Sequence, residues 1–277
     1  SHGPGTYAYT LVGSAPCVND QATVAVTENP APDAGLDGAL TVCGNSVATA
    51  LLSLIAGADG GGAWTAPGGA VFSGTYDPAV DASGAYTYTV SGIAPCVADQ
   101  STVTVTENPV PDAGSDGSLT TCSTSAPSGL LAQLTGAQPG GTWTAPGGGA
   151  FNGTYDPAVQ ASGVYTYTVN GLAPCAADQA TVTVAENAAS NAGIDGAIDL
   201  CGTSGATALF AQLTGADGGG SWTAPGGAAF SGTYDPAVDV PGAYTYTVSG
   251  IAPCAADQSV VTVAEAPTPI AGSDAAL

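Results

Sequence analysis

The fold is decided by residues 83–106, which read SGAYTYTVSGIAPCVADQSTVTVT. In residues 85–90 and 101–106, threonines alternate with tyrosines or valines. These β-branched and aromatic side chains suit the pleated surface of a half-buried strand. The segment 91–99 between them contains Gly92 and Pro95, which favour a turn. The stretch therefore predicts an antiparallel hairpin.

The whole pattern recurs every 79 residues without an insertion or deletion. This step separates Trp64, Trp143 and Trp222, and it also separates the members of two cysteine series. The series are Cys17, Cys96, Cys175 and Cys254, and Cys43, Cys122 and Cys201. A fixed period of this length indicates a tandem array of one structural unit.

Proline-containing segments at 28–33, 107–112 and 265–269 predict short, stiff linkers, because proline lacks the amide hydrogen that sheet pairing needs. The junction at 186–191 lacks prolines, so we expect it to be the most flexible. Complete units are predicted at 31–109, 110–188 and 189–267. Residues 1–30 then match the C-terminal part of a truncated repeat and 268–277 the start of a further one, as expected of a segment of a longer chain.

Each unit contains about seven short runs with strand character, separated by glycine-rich turns. In the first unit the earlier runs lie near 39–42, 49–55, 63–65, 70–72 and 75–76, with one or two helical turns over 48–56 as an alternative. This pattern predicts an all-β fold of tandem Ig-like antiparallel β-sandwich repeats, arranged as an elongated rod.

Two sets of aromatic residues are assigned structural roles. Tyr86, Tyr165 and Tyr244 follow a corner sequence and resemble the tyrosine corner of Ig-like domains, in which the hydroxyl group bonds back to the backbone. Trp64, Trp143 and Trp222 are expected in the core, where a tryptophan would pack against a disulfide. An exposed platform for stacking sugars is the functional alternative for the tryptophans.

Each complete unit holds two cysteines, with no close Cys-x-x-Cys pair and no neighbouring histidine, which favours disulfides over zinc. The predicted bridges are Cys43–Cys96, Cys122–Cys175 and Cys201–Cys254. Such a bridge would close a loop of about 54 residues and contribute roughly 4 kcal/mol. The alternative crosses the boundaries, pairing Cys17–Cys43, Cys96–Cys122 and Cys175–Cys201. Either scheme places the protein in an oxidising compartment.

A family resemblance rests on the run 33–37, DAGLD, leading to Cys43, on the Tyr-Thr-Tyr strand and on the cysteine before the last strand. Together they resemble the Ig-like or PKD-like repeats of giant Bacteroidota cell-surface proteins. The resemblance covers the chain and implies a cell-surface adhesin or gliding-motility filament exported by the type 9 secretion system. In such a protein the repeats would form a stalk.

The chain has no lysine or arginine and 22 acidic residues, giving a formal net charge of -22. Nucleic acid and anionic membranes attract proteins through basic residues, so neither is an expected partner. No apolar run approaches the roughly 18 residues that a membrane span needs. His2 is the only imidazole, and the carboxylates recur in every repeat on turn-forming residues, which argues against an enzyme and against any catalytic residue or cofactor.

Calcium is the one metal that the sequence suggests, because oxygen-bearing side chains recur at each junction. The candidate ligands are Asp33, Asp37, Asp112, Asp116, Asn191 and Asp195. The alternative is that these residues form polar, solvated turns.

The sequence thus predicts a structural stalk or spacer of a large extracellular surface adhesin or filament, whose partners are neighbouring repeats of the same chain. A polysaccharide-binding or ice-binding repeat is one alternative. A filament or sheath subunit that associates laterally with other copies is another.

Overall fold

The structure is a computed structural model that describes residues 2–269. The predicted start of a further repeat at 268–277 lies outside the described residues from position 270 onward. A hairpin, β1 (Gly5–Leu11) and β2 (Asp20–Val26), precedes three repeats of seven strands each. The first repeat consists of β3 (Gly38–Cys43), β4 (Thr49–Ala50), β5 (Ala63–Thr65), β6 (Val71–Phe72), β7 (Thr75–Tyr76), β8 (Gly84–Val90) and β9 (Asp99–Asn108).

The second and third repeats have the same strands in the same order. The second consists of β10 (Gly117–Cys122), β11 (Ser128–Gly129), β12 (Thr142–Thr144), β13 (Ala150–Phe151), β14 (Thr154–Tyr155), β15 (Gly163–Val169) and β16 (Asp178–Asn187). The third consists of β17 (Gly196–Cys201), β18 (Thr207–Ala208), β19 (Ser221–Thr223), β20 (Ala229–Phe230), β21 (Thr233–Tyr234), β22 (Gly242–Val248) and β23 (Asp257–Ala266). Short 3₁₀ helices follow β4, β11 and β18 at Leu51–Leu54, Leu130–Gln133 and Leu209–Gln212.

Each repeat is an Ig-like sandwich of a five-stranded and a two-stranded sheet. In the second repeat the larger sheet has the order β10-β16-β15-β12-β13, and β11 pairs with β14 in the smaller one. The hairpin predicted at 83–106 is β8–β9. Its equivalent in the second repeat is β15–β16, which pairs from Gly163 opposite Val184 to Val169 opposite Asp178. The first strand, β10, runs parallel to β16, so that Cys122 lies opposite Asn187 at the carboxyl end of both strands.

The predicted all-β fold of tandem Ig-like sandwiches is confirmed. The expected strand over 49–55 is wrong for most of its length, because only Thr49 and Ala50 pair and the chain then turns into the 3₁₀ helix. That helix places Leu51 in the core, fully buried. The helical alternative over 48–56 was therefore closer to the structure.

Aromatic residues fill the core of each repeat. In the second repeat the buried cluster contains Trp143, Tyr155, Tyr165 and Tyr167, with Val182 packed from β16. The first and third repeats have the same cluster at the equivalent positions. Alternate residues of the hairpin supply it, as the period-two pattern requires.

The described residues form two compact units by their contacts. The first comprises residues 2–111 and 170–177, and the second comprises 112–169 and 178–269. The turn 170–177, which joins β15 to β16, thus belongs to the first unit. The strands of the three repeats fall within the predicted boundaries 31–109, 110–188 and 189–267, which follow the period of the sequence and remain a prediction.

Candidate functional site: the disulfide-linked junctions

Two disulfides join successive repeats. Within the second unit Cys122, the last residue of β10, bonds Cys254 in the turn between β22 and β23. Within the first unit Cys43, the last residue of β3, bonds Cys175 in the turn 170–177. Each pair spans 132 residues with Cα atoms 5.0 Å apart. The first strand of one repeat is therefore bonded to the hairpin turn of the next.

Both predicted pairing schemes are wrong. Cys43 bonds Cys175, so the predicted bridges Cys43–Cys96 and Cys122–Cys175 do not form, and Cys254 bonds Cys122 and not Cys201. The boundary-crossing alternatives, Cys17–Cys43, Cys96–Cys122 and Cys175–Cys201, do not form either. Cys17, Cys96 and Cys201 are free within the described residues.

Strand direction explains why a bridge within one repeat cannot form. Cys43 pairs opposite Asn108 at the carboxyl end of β9, whereas Cys96 lies in the turn before the amino end of the same strand. β9 has ten residues, so the two cysteines are separated by roughly 30 Å of strand. A disulfide needs Cα atoms within about 7 Å.

Local hydrogen bonds fix the position of Cys122 at the end of its strand. Its amide donates to Ser125 Oγ at 3.2 Å. The amide of Ser123 continues the strand pairing by donating to the carbonyl of Asn187 at 2.9 Å. The same serine contact holds Cys43 in the first repeat, where its amide donates to Ser46 Oγ at 3.1 Å.

The turn that carries Cys254 is held by the end of the preceding repeat. Asn187 Nδ2 donates to the carbonyl of Ala252 at 2.8 Å, and Cys254 Sγ lies 3.3 Å from the carbonyl oxygen of Asn187. Ser190 Oγ donates to the carbonyl of Ala255 at 2.8 Å. The junction at 186–191, expected to be the most flexible, therefore has a disulfide and several hydrogen bonds across it.

The first unit repeats this arrangement. Asn108 Nδ2 donates to the carbonyl of Ala173 at 2.8 Å, and Cys175 Sγ lies 3.5 Å from the carbonyl oxygen of Asn108. Sequence reasoning missed these asparagines. The sequence does carry a signal for them, because a Glu-Asn pair recurs at 107–108 and 186–187, at the end of the last strand of the first and second repeats.

The cysteines of the junctions are almost fully covered. The exposed fraction is 4% for Cys43, 7% for Cys175, 5% for Cys122 and 8% for Cys254. Thiol–disulfide exchange requires in-line access to a sulfur, so the covered bonds are shielded from external thiols.

The side chains assigned to calcium accept hydrogen bonds from backbone amides. Asp37 Oδ1 accepts the amide of Thr102 at 2.7 Å, and Asp33 Oδ1 accepts the amide of Gly35 at 2.8 Å. The equivalent residues Asp112, Asp116, Asn191 and Asp195 accept backbone amides in the same way. Within residues 2–269 no three acidic, cysteine or histidine side chains gather, so the calcium prediction has no assembled ligand set.

The tyrosine and tryptophan candidates all lie in the core. The Tyr165 hydroxyl group donates to the carbonyl of Ala161 at 2.7 Å, and Tyr86 and Tyr244 make the same bond four residues back. Trp143 packs on Tyr167 with ring centroids 4.9 Å apart, and the core cluster that contains it includes no cysteine. Only 8% of each tryptophan is exposed, which leaves little ring surface for stacking a sugar.

A tyrosine–glutamate pair connects the core to each junction. The Tyr155 hydroxyl group donates to Glu186 Oε2 at 2.8 Å, and Glu186 is the neighbour of Asn187. Burial, followed by the hydrogen bond and negative charge of Glu186, raises the pKa of Tyr155 to about 12. Burial and the equivalent glutamate, Glu265, raise the pKa of Tyr234 to about 12.

No protein-family model and no curated protein matches the chain. Solved structures of tandem Ig-like domains are similar to it. An I-band fragment of titin covers 87% of this chain and 100% of its own, with 12% identity and a TM-score of 0.47. The structure of Sidekick-1 immunoglobulin domains 1–5 covers 95% of this chain and 67% of its own, with 12% identity and a TM-score of 0.33. The structure of Drosophila OTK extracellular domains 3–5 covers 87% of this chain and 98% of its own, with 13% identity and a TM-score of 0.34.

Within residues 2–269 no helix is both long and apolar enough to cross a membrane.

Proposed function

We propose that this chain is a structural spacer in an extracellular bacterial surface protein, such as an adhesin or a gliding-motility filament. The observation that carries the proposal is the repeated bond between successive repeats, Cys43–Cys175 and Cys122–Cys254. A disulfide from one repeat to the next keeps the two repeats covalently joined at the junction when one of them unfolds.

The chemistry of the chain supports an extracellular location. Disulfides persist in oxidising compartments, which include the periplasm and the cell exterior. The absence of lysine and arginine removes every trypsin cleavage site, and the absence of methionine removes a common oxidative lesion. The resemblance to Bacteroidota surface repeats supports the same location.

The burial of the tryptophan rings favours a spacer rather than a sugar-binding module. A polysaccharide site of the kind first considered would use exposed tryptophan rings, whereas Trp64, Trp143 and Trp222 each pack on a tyrosine of the hairpin. A spacer needs only that every repeat be stable and joined to its neighbour.

Small-angle X-ray scattering with sedimentation analysis on the oxidised chain tests the proposal. A spacer gives a monomer whose radius of gyration lies clearly above the roughly 19 Å of a compact protein of this length. A compact monomer would contradict the spacer. Concentration-dependent growth into large assemblies would favour a filament or sheath subunit instead.

A further inference from the structure

We propose that the chain is a load-bearing tether whose extension is limited by the overlap of its two disulfides. This inference rests on the proposed structural role and adds a mechanical property to it. It follows from which cysteines are paired.

The two disulfide loops overlap. Cys122 lies inside the loop closed by Cys43 and Cys175, and Cys175 lies inside the loop closed by Cys122 and Cys254. Residues 122–175 therefore belong to both loops. A bridge confined to one repeat would give separate loops in succession.

The overlap creates a short covalent route between the outer cysteines. A force applied between Cys43 and Cys254 crosses the first disulfide to Cys175, follows the chain backward to Cys122, and crosses the second disulfide. The middle repeat is thus loaded against the direction of its sequence. Residues 44–121 and 176–253 lie outside this route, so their unfolding adds no length.

The route is about a quarter of the length of the open chain. It contains about 53 residue steps, whereas the chain from Cys43 to Cys254 contains about 211. At about 3.4 Å per residue, the limits are about 180 Å and about 720 Å. The oxidised tether should therefore stop extending long before its repeats are fully unravelled.

The overlap also makes the two disulfides partly redundant. Either bond alone leaves a route of about 79 residue steps, because one whole repeat length remains between the outer cysteines. Loss of the first bond adds about 26 steps, and loss of the second adds about 132. The small increment comes first whichever bond breaks first.

Burial of the bonds suits this role. All four cysteines are less than one-tenth exposed in the folded protein. A thiol reaches them only after the junction opens, so the length limit persists until force or denaturation exposes the sulfurs.

Single-molecule force spectroscopy in the presence of a thiol reductant tests the inference. The full oxidised chain is stretched through non-thiol handles at its two ends until its folded parts have unravelled, and cleavage of each disulfide is followed as a step in length. The expected record has two unequal steps, about 90 Å first and about 450 Å second. Working on the preformed oxidised protein avoids any folding defect of a variant.

Cysteine variants complete the test. Cys254→Ser should leave one step of about 450 Å, and so should Cys175→Ser, because either variant starts from the intermediate length. Cys201→Ser removes a thiol outside both disulfides and should keep both steps. Equal steps in any order would overturn the inference, since bridges within repeats give about 180 Å each. A compact shape in scattering with unequal steps retained would refute the spacer and leave the overlapping connectivity intact.

Discussion

Tyrosine hydroxyl groups tie the core of each repeat to its backbone. In the second repeat the Tyr165 hydroxyl bonds the carbonyl of Ala161, and the Tyr167 hydroxyl bonds the carbonyl of Gln138 at 2.6 Å. Both rings are buried. A buried polar group that keeps its partner adds stability and fixes the geometry of the corner, whereas one without a partner is costly.

Tyr165→Phe should therefore destabilise the protein by about 1–2 kcal/mol, because the carbonyl of Ala161 loses its donor while the ring packing remains. Chemical denaturation of the oxidised protein measures the change. Tyr9→Phe, at a ring that is 67% exposed, is the matched control and should change the free energy of unfolding by less than about 0.5 kcal/mol. Equal effects of the two substitutions would refute the role of the corner bond.

The raised pKa of Tyr155 makes stability depend on alkaline pH. The unfolded chain loses this proton near pH 10.0, whereas the folded protein holds it to about 12. The contribution is therefore complete below pH 10 and is lost as the pH rises from about 10 to about 12. Denaturation at pH 9 and pH 11.5, with free thiols blocked, should show a smaller fall in the free energy of unfolding for Tyr155→Phe than for the unmodified protein. An equal fall would contradict the assignment.

The positions of the buried aromatic residues could be predicted from the sequence, but the partners of the acidic residues could not. Tyr165 and Tyr167 alternate with outward threonines, and a period of two specifies the inward face. Asp37 and Asp116 look like ligands in sequence because they recur at junctions. Their hydrogen-bond donors, the amides of Thr102 and Thr181, lie about 65 positions away, and no local pattern reveals such pairs.

At the scale of elements, the hairpin was predictable and the direction of the first strand was not. The alternation of side chains indicates a strand at residues 117–122, but the same alternation is found whether the neighbouring strand is parallel or antiparallel. The structure places β10 parallel to β16, which puts Cys122 at the end remote from the hairpin turn. That direction rules out a bridge within one repeat, and it explains why the predicted pairing is wrong.

Glycines at the close approaches between strands set the packing of each sandwich. A Cβ at Gly141 would lie 2.5 Å from the carbonyl oxygen of Thr168 and 2.6 Å from Tyr167 Cζ. The amide of Gly141 also donates a hydrogen bond to the Tyr167 hydroxyl group at 2.7 Å, which fixes the backbone of Gly141 against the ring. Any side chain at this position before β12 would therefore force the backbone of β15 or the Tyr167 ring to shift.

Gly141→Ala should accordingly lower the free energy of unfolding by about 1–3 kcal/mol through overpacking. Gly149→Ala is the matched control, because a Cβ there meets nothing within 4 Å. Thermal unfolding followed by circular dichroism compares the two. A Gly141→Ala protein as stable as the control would show that the backbone moves away at little cost.

At the scale of the whole molecule, the period predicts that any pairing of cysteines must repeat, but it does not predict the offset. Several offsets satisfy the two cysteine series, among them a bridge within one repeat, a bridge across a boundary, and a bridge from the first strand of one repeat to the hairpin turn of the next. The third brings Cys122 to Cys254 over 132 residues. This offset depends on the parallel strand and on the asparagine contacts at the junction, neither of which a local sequence pattern reveals.

Loops of this size make each disulfide a large contributor to stability. Closing 132 residues removes unfolded-chain entropy worth roughly 5 kcal/mol at 25 °C. Cys254→Ser should lower the free energy of unfolding of the oxidised protein by up to that amount, as measured in urea. Cys201→Ser is the matched control and should have little effect, because Cys201 is outside both bonds. Equal effects would mean that Cys254 is not bridged.

Peptide mapping without reduction shows whether successive repeats are bonded through Cys43–Cys175 and Cys122–Cys254. Free thiols are blocked first, and the chain is cut with pepsin because it has no lysine or arginine for trypsin. We expect cross-linked peptides containing Cys43 with Cys175 and Cys122 with Cys254, and blocked thiols at Cys17, Cys96 and Cys201. Peptides joining Cys43 to Cys96, or Cys96 to Cys122, would contradict it.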